Sequence, residues 1–208
     1  KEHIQKYRDA IINHDKELKK LYASSYRFLS AAKAVQDDLE ALLGDEYDWA
    51  GYNSIMSEYK TSILDFLEPI RKQGKCRHLF HSSINSAGRV DFVEDVIPKN
   101  SKCHYIKSQY YSASTKLFKS LIADILMKGY DIEVFHQPLD PEIIETIIIN
   151  DLGLVITSDA KLENKAEKII DLDSFRNKNI SKDDNAYIEN NYNIFNNLMD
   201  EAIIRIQS

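Results

Sequence analysis

Residues 105–119 read Tyr105-Ile106-Lys107-Ser108-Gln109-Tyr110-Tyr111-Ser112-Ala113-Ser114-Thr115-Lys116-Leu117-Phe118-Lys119. His104 to Lys107 predicts a strand. Ser114 to Lys128 predicts a helix, because Leu117, Leu121, Ile122 and Ile125 recur at helical spacing and Gly129 follows as a stop. A short polar loop holding two tyrosines joins them. A strand that feeds through a loop into a helix is the building unit of an α/β sheet.

The pattern repeats outward from this stretch. Upstream, Arg77-His78-Leu79-Phe80 predicts extended chain, and Val90 to Ile97 a short helix ended by Pro98. Downstream, strands are predicted at Ile132–Phe135, Ile147–Ile149, Leu154–Thr157 and Ile169–Leu172, with a turn and a short helix around Pro138 and Pro141. Alternating strands and helices predict a mostly parallel sheet with covered faces.

The flanks read differently. Ile4, Tyr7, Ile11, His14, Leu18, Leu21, Ser25, Phe28, Ala32, Val35, Leu39 and Leu42 follow a 3-4 spacing, interrupted only by His14 and Ser25. That places one stripe along a long helix ended near Gly44. A second helix, about Asn53 to Leu67, stops at Glu68-Pro69, and the pair predicts an antiparallel hairpin. The tail from Lys182 is helical again, opened by Asp183-Asp184 and striped by Ile188, Phe195, Leu198, Ala202 and Ile206. The expected division is a helical hairpin subdomain over 1–74, an α/β core over 75–181, and a C-terminal helix over 182–208 that docks on the hairpin.

The 208 residues include only 6 Gly and 4 Pro, which argues against a turn-rich all-β fold. No apolar run approaches the ~18 residues of a membrane span. Two cysteines make no disulfide framework, so a cytoplasmic location and no membrane partner are expected. The net charge of −6 is segregated: residues 71–119 carry 10 Lys/Arg against 3 Asp/Glu, while both flanks are acidic. A basic middle suits an anionic ligand such as a phosphate; lysines paired with acids of the flanks would look the same.

Strand, loop and helix in that order are the context of the phosphate-binding pattern G-x-x-x-x-G-K-[ST]. Laid on it without gaps, the first Gly is Ser108, the second Ala113, the Lys is Ser114 and the hydroxyl residue is Thr115. Together with Arg77-His78-Leu79-Phe80, Gly88-Arg89-Val90-Asp91-Phe92, Gly129-Tyr130-Asp131-Ile132-Glu133-Val134 and Asp151-Leu152-Gly153-Leu154-Val155-Ile156, the loop resembles a family of bacterial P-loop proteins. These are predicted ATPases or nucleotide kinases built from two tandem NTPase-like halves. The resemblance covers most of residues 20–175, including Tyr26 to Ala34, and is to the second half, in keeping with Lys rather than Met at position 1.

The resemblance implies a P-loop NTPase-like fold and an N-terminal NTPase-like half as partner. It also implies a phosphate loop at Lys107, Ser108, Gln109, Tyr110, Tyr111, Ser112, Ala113, Ser114 and Thr115. The departures from the family pattern make that loop vestigial. Ser108 and Ala113 carry a Cβ where backbone amides must curl round phosphate oxygens, a cost of about 1 kcal/mol wherever φ must be positive. Ser114 brings no charge, Tyr110 and Tyr111 are bulky, and only Thr115 could still hold Mg²⁺. The acid expected after Leu154–Thr157 is replaced by Ser158, with Asp159 one step late and Asp151 an alternative. The expectation is a non-catalytic half with no catalytic residue, no metal and no cofactor. The alternative is an NTPase or nucleotide kinase binding ATP and Mg²⁺ through Lys107 or Lys116.

Other constellations lead elsewhere. Cys76, His78 and His81, with Cys103 and His104, lack the paired spacing of a zinc site, and ordinary strand and loop residues are expected. A Cys76 or Cys103 nucleophile with His104 or His136 as base has no support from spacing. Base stacking on Tyr110 and Tyr111 conflicts with acidic flanks and the lack of an RNA-binding motif, so no nucleic-acid partner is expected. The two rings are expected to plug the vacated phosphate pocket. The heptad stripe adds one further expectation, self-association as a homo-oligomer through the helical hairpin.

Overall fold

Strand-forming and helix-forming runs alternate after Lys75, and in a computed structural model of the chain they build one mixed sheet. The structure describes residues 2–45, 47–176 and 182–207, with side chains described for 7–44, 47–176 and 183–207, so the side chain of Ile4 lies outside them. The strands in chain order are β1 (Cys76–Leu79), β2 (Ser82–Asn85), β3 (Gly88–Asp91), β4 (Lys102–Lys107), β5 (Ile132–His136), β6 (Ile144–Ile149), β7 (Leu154–Thr157) and β8 (Lys168–Asp171). The main sheet runs β1-β5-β6-β7-β4-β8, and β2 and β3 form a separate hairpin.

The fold is α/β, with five strands of the main sheet parallel and β6 antiparallel between β5 and β7. Loop length explains the exception. A parallel return needs a crossover of about a dozen residues or more. Helix α4 (Tyr111–Met127) provides one between β4 and β5, whereas only 137–143 join β5 to β6 and only 150–153 join β6 to β7. The latter turn closes on Gly153 at φ 56, a conformation open to glycine. The short helix expected near Pro138 and Pro141 does not form. The two prolines hold the residues before them extended, and the segment is a turn closed by the Gln137 amide on the Ile143 carbonyl.

Helix α4 buries Leu117, Phe118, Leu121 and Ile125 on Ile106, Ile147, Ile149 and Ile156 of the sheet. Helix α2 (Trp49–Leu64) joins the same core through Tyr52, Tyr59 and Ile63. Its buried hydroxyls are used: Tyr52 donates to the Ala113 carbonyl at 2.7 Å, and Tyr59 meets His104 Nδ1 at 2.9 Å. The hairpin expected between the first two helices is therefore not how α2 is used, because its apolar side belongs to the sheet. On the opposite face, Phe135, Ile148 and Val155 lie under Val96 and Ile97, at and just past the end of the short helix α3 (Val93–Val96), with Val93, Cys103 and Leu162 beside them.

Helix α1 (Glu2–Asp45) instead packs along α5 (Lys182–Gln207). Leu39 and Leu43 meet Ile188, and the Asp38 carboxylate accepts from Tyr187 and Asn191. Ser25, which interrupts the stripe, is buried and donates to the Ala202 carbonyl at 2.9 Å, so a small polar residue joins the two helices. Residues 7–20 of α1 are all exposed, Ile11 and Leu18 included.

Candidate functional site

The helix end that would receive a phosphate already holds an anion. The four leading amides of a helix lack intrahelical partners and carry a partial positive charge. At the start of α4 the Glu40 carboxylate of α1 accepts from the Tyr111 amide at 3.0 Å and from the Ser112 amide at 2.8 Å. Two residues before Tyr111, the Gln109 amide donates to Asp173 at 2.7 Å. Burial pushes the Glu40 carboxyl up from its ordinary value, and the Ser112 and Tyr111 hydrogen bonds pull against that rise.

The remaining loop residues are spent on internal contacts. Ser108 Oγ donates to the Tyr110 carbonyl, and the Ala113 amide closes on the same oxygen. The Tyr110 ring packs with Tyr47 and Trp49, and a Cβ on Gly44 would stand 2.6 Å from its hydroxyl oxygen, so that approach requires glycine. Ser114 is fully buried and bonds the Tyr111 carbonyl. Thr115 Oγ1 accepts the Ile144 amide at 3.2 Å, holding α4 to β6. Lys107 pairs with Asp171, and the Lys116 ammonium lies 4.7 Å from the centre of the Trp49 ring. A nucleotide triphosphate and its Mg²⁺ do not fit these residues: the amides are taken by carboxylates, the cation position is a buried serine, and the threonine hydroxyl is engaged in the core. Glu40 and Asp173 hold the amides at this loop, and Tyr110 is turned into the aromatic cluster.

Beside the loop lies a cleft of about 680 Å³. It opens where β4 and β7 end, the place at which open α/β sheets bind ligands. Lys107, Ser108, Gln109 and Tyr111 of the loop line it, together with Tyr105, Asp173 and, from α5, Tyr192. Charged groups from separate segments meet on its wall. Arg89 of β3 pairs with Glu145 of β6 at 2.7 Å, Lys161 lies 3.3 Å from Asp91, and His81 Nδ1 lies 3.0 Å from Asp91. Asp159 follows β7 and caps the Lys161 amide. Burial raises the Glu145 carboxyl against the charges of Arg89 and His81. Burial also raises Asp159, against the Lys161 amide, and the facing Asp91 adds to the rise. Burial works on Asp91 in the same sense, but its hydrogen bonds to Asp159 and the Val93 amide, with the His81 charge, hold it below the usual carboxylate range.

The Cys/His residues separate. His78 turns to His136, with Nδ1 2.8 Å from Nε2, and its other nitrogen lies 3.3 Å from Cys76 Sγ. His81 is buried against Asp91, a residue of the cleft wall, and His104 faces Tyr59 on the α2 side of the sheet. Cys103 is buried beside Val93 and Leu162. Sequence reasoning passed over Glu40, Arg89, Glu145 and Lys161, which lie in separate segments with no shared spacing, and gave His81 no partner. No protein-family model, no curated protein and no solved structure matches the chain.

Proposed function

We propose that residues 75–181 are a degenerate P-loop NTPase-like domain that binds no nucleotide and supports or regulates an intact NTPase-like half of the same polypeptide. The observation that carries this reading is the Glu40 carboxylate on the Tyr111 and Ser112 amides. A polyphosphate at the start of α4 would meet two negative charges, Glu40 and Asp173, with the nearby Lys107 paired to Asp171 and Lys116 lying over Trp49. Phosphoryl transfer rests on positioning and charge stabilisation, and both are missing from this loop. The link to an intact half rests on the resemblance of the loop and its flanking motifs.

The alternative, an NTPase using Lys107 or Lys116, is less well supported, because one lysine is held by Asp171 and the other lies over Trp49. Calorimetric titration of the chain with Mg·ATP tests the choice. The proposal expects no saturable heat at millimolar nucleotide, for the wild type and for Glu40→Gln alike. Micromolar binding abolished by Lys107→Ala or Lys116→Ala would establish the alternative.

A further inference from the structure

The wall of the cleft joins two pieces of chain that are otherwise separate. His81 and Asp91 flank the β2–β3 hairpin, whereas Glu145 and Asp159 belong to the main sheet. One ring nitrogen of His81 and one carboxylate oxygen from each of Asp91 and Asp159 lie within 4.8 Å of one another. Donors around a tetrahedral ion at about 2.1 Å stand roughly 3.4 Å apart, so small side-chain rotations close the set. The His81 side chain has no exposure and that of Asp91 has 7%. Asp91 and Asp159 each bring a carboxylate oxygen to this group, and Asp159 Oδ2 is buried with no hydrogen-bond partner. Two carboxylates held face to face repel unless a proton or a cation stands between them.

A second, independent observation comes from the neighbouring wall. The Glu145 side chain is 6% exposed and lines the same cleft. Its Oε1 takes Arg89, while Oε2 has no hydrogen bond and lies 3.7 Å from His81 Nε2. A buried carboxylate oxygen left without a donor is costly, and native folds keep few of them.

We propose that His81, Asp91 and Asp159 bind one divalent transition-metal ion of the zinc class, with the buried Glu145 carboxylate beside the other nitrogen of the imidazole. An imidazole among carboxylates favours zinc, cobalt or manganese over magnesium and calcium, which take oxygen ligands. Lys161 competes for Asp91, but its side chain is 53% exposed and can swing into water, whereas the carboxylates cannot. The site shares Asp159 with the Mg²⁺ set that a phosphate loop would use, but not Thr115, which is engaged with Ile144. The bound ion would fasten the hairpin to the sheet beside the open cleft. This inference does not depend on whether the loop binds nucleotide.

The test is titration of the EDTA-stripped, dialysed chain with Zn²⁺, and separately with Co²⁺ and Mg²⁺, by calorimetry and visible absorption. The expected result is one equivalent of Zn²⁺ with Kd below about 10 µM, and a Co²⁺ spectrum without thiolate charge transfer. Asp159→Asn keeps the acceptor for the Lys161 amide and should fold, as circular dichroism would verify. It should weaken Zn²⁺ binding at least about 10-fold, and Asp91→Asn should do the same from the hairpin side. His78→Ala, at the separate Cys76–His78–His136 group, should change nothing. Zn²⁺ binding weaker than that limit, full affinity in Asp159→Asn, or loss of binding in His78→Ala would each overturn the assignment.

Discussion

Glu40 and Ser112 are separated by 72 residues in the chain, and a 2.8 Å hydrogen bond joins the carboxylate of one to the backbone amide of the other. The long N-terminal helix therefore supplies the counter-charge for the first turn of α4. Replacing Glu40 by Ala leaves the part-buried Tyr111 amide and the exposed Ser112 amide without that acceptor. The expected cost is about 1 kcal/mol of stability, read as a lower midpoint in urea with an unchanged m-value. No loss of stability in Glu40→Ala would mean that water serves these amides equally well.

Ser114 sits where the phosphate-loop lysine would stand, and it has no exposure. Restoring the charge with Ser114→Lys should not restore binding. It forces an ammonium into a packed helix–sheet contact, where overpacking and charge burial act together. The expected outcome is a loss of several kcal/mol, or failure to fold. A Ser114→Lys protein that melts like wild type and binds Mg·ATP would show that the loop is still plastic.

His104 gives the fold a pH dependence of definite sign. Burial first, then the charge of Lys168, holds its imidazole below the ordinary value of 6.5, with Glu167 opposing. Between that value and the lower folded one, the unfolded chain binds more protons than the folded chain. Stability is therefore complete above pH 6.5 and falls as the pH drops through that window. His136 is lowered in the same sense, chiefly by burial, and contributes likewise. Thermal melts from neutral pH down to the His104 titration should show a smaller acid-side loss in His104→Gln than in wild type. Equal loss in both would remove His104 as a source.

The two halves of α1 should respond differently to truncation. Leu39 is 5% exposed and packed near Ile188, whereas Leu18 is 51% exposed. Leu39→Ala should cost about 2–5 kcal/mol, and Leu18→Ala no more than about 0.5 kcal/mol. Equal effects in denaturant melts would show that residues 7–20 are covered by something in solution.

Much of the fold was legible in single residues. Gly129, at φ 93, follows α4 where a helix stop was expected, and Leu154–Thr157 is a strand over the predicted residues. The β2–β3 hairpin was not legible, because Ser82-Ser83-Ile84-Asn85 shows no apolar alternation and its strands are four residues long. The α1 stripe and a C-terminal helix docking beside it were both legible, but Ser25 reads as a defect until Ala202 is opposite it. The cleft was least legible of all. Its charges come from β3, β6 and the turn after β7, and only the sheet order brings them together. Extended chain over 76–81 sets His81 on the other face from Cys76 and His78, but only the fold brings it to Asp91.

The central claim is that Glu40 holds the amides that a phosphate would need, and the most direct measurement is the backbone amide signals of Tyr111 and Ser112 in a ¹⁵N-resolved NMR spectrum. The account predicts that both signals stay in place on titration with millimolar Mg·ATP and move in Glu40→Gln. Saturable displacement of these two signals by nucleotide, with Glu40→Gln leaving them where they were, would contradict it.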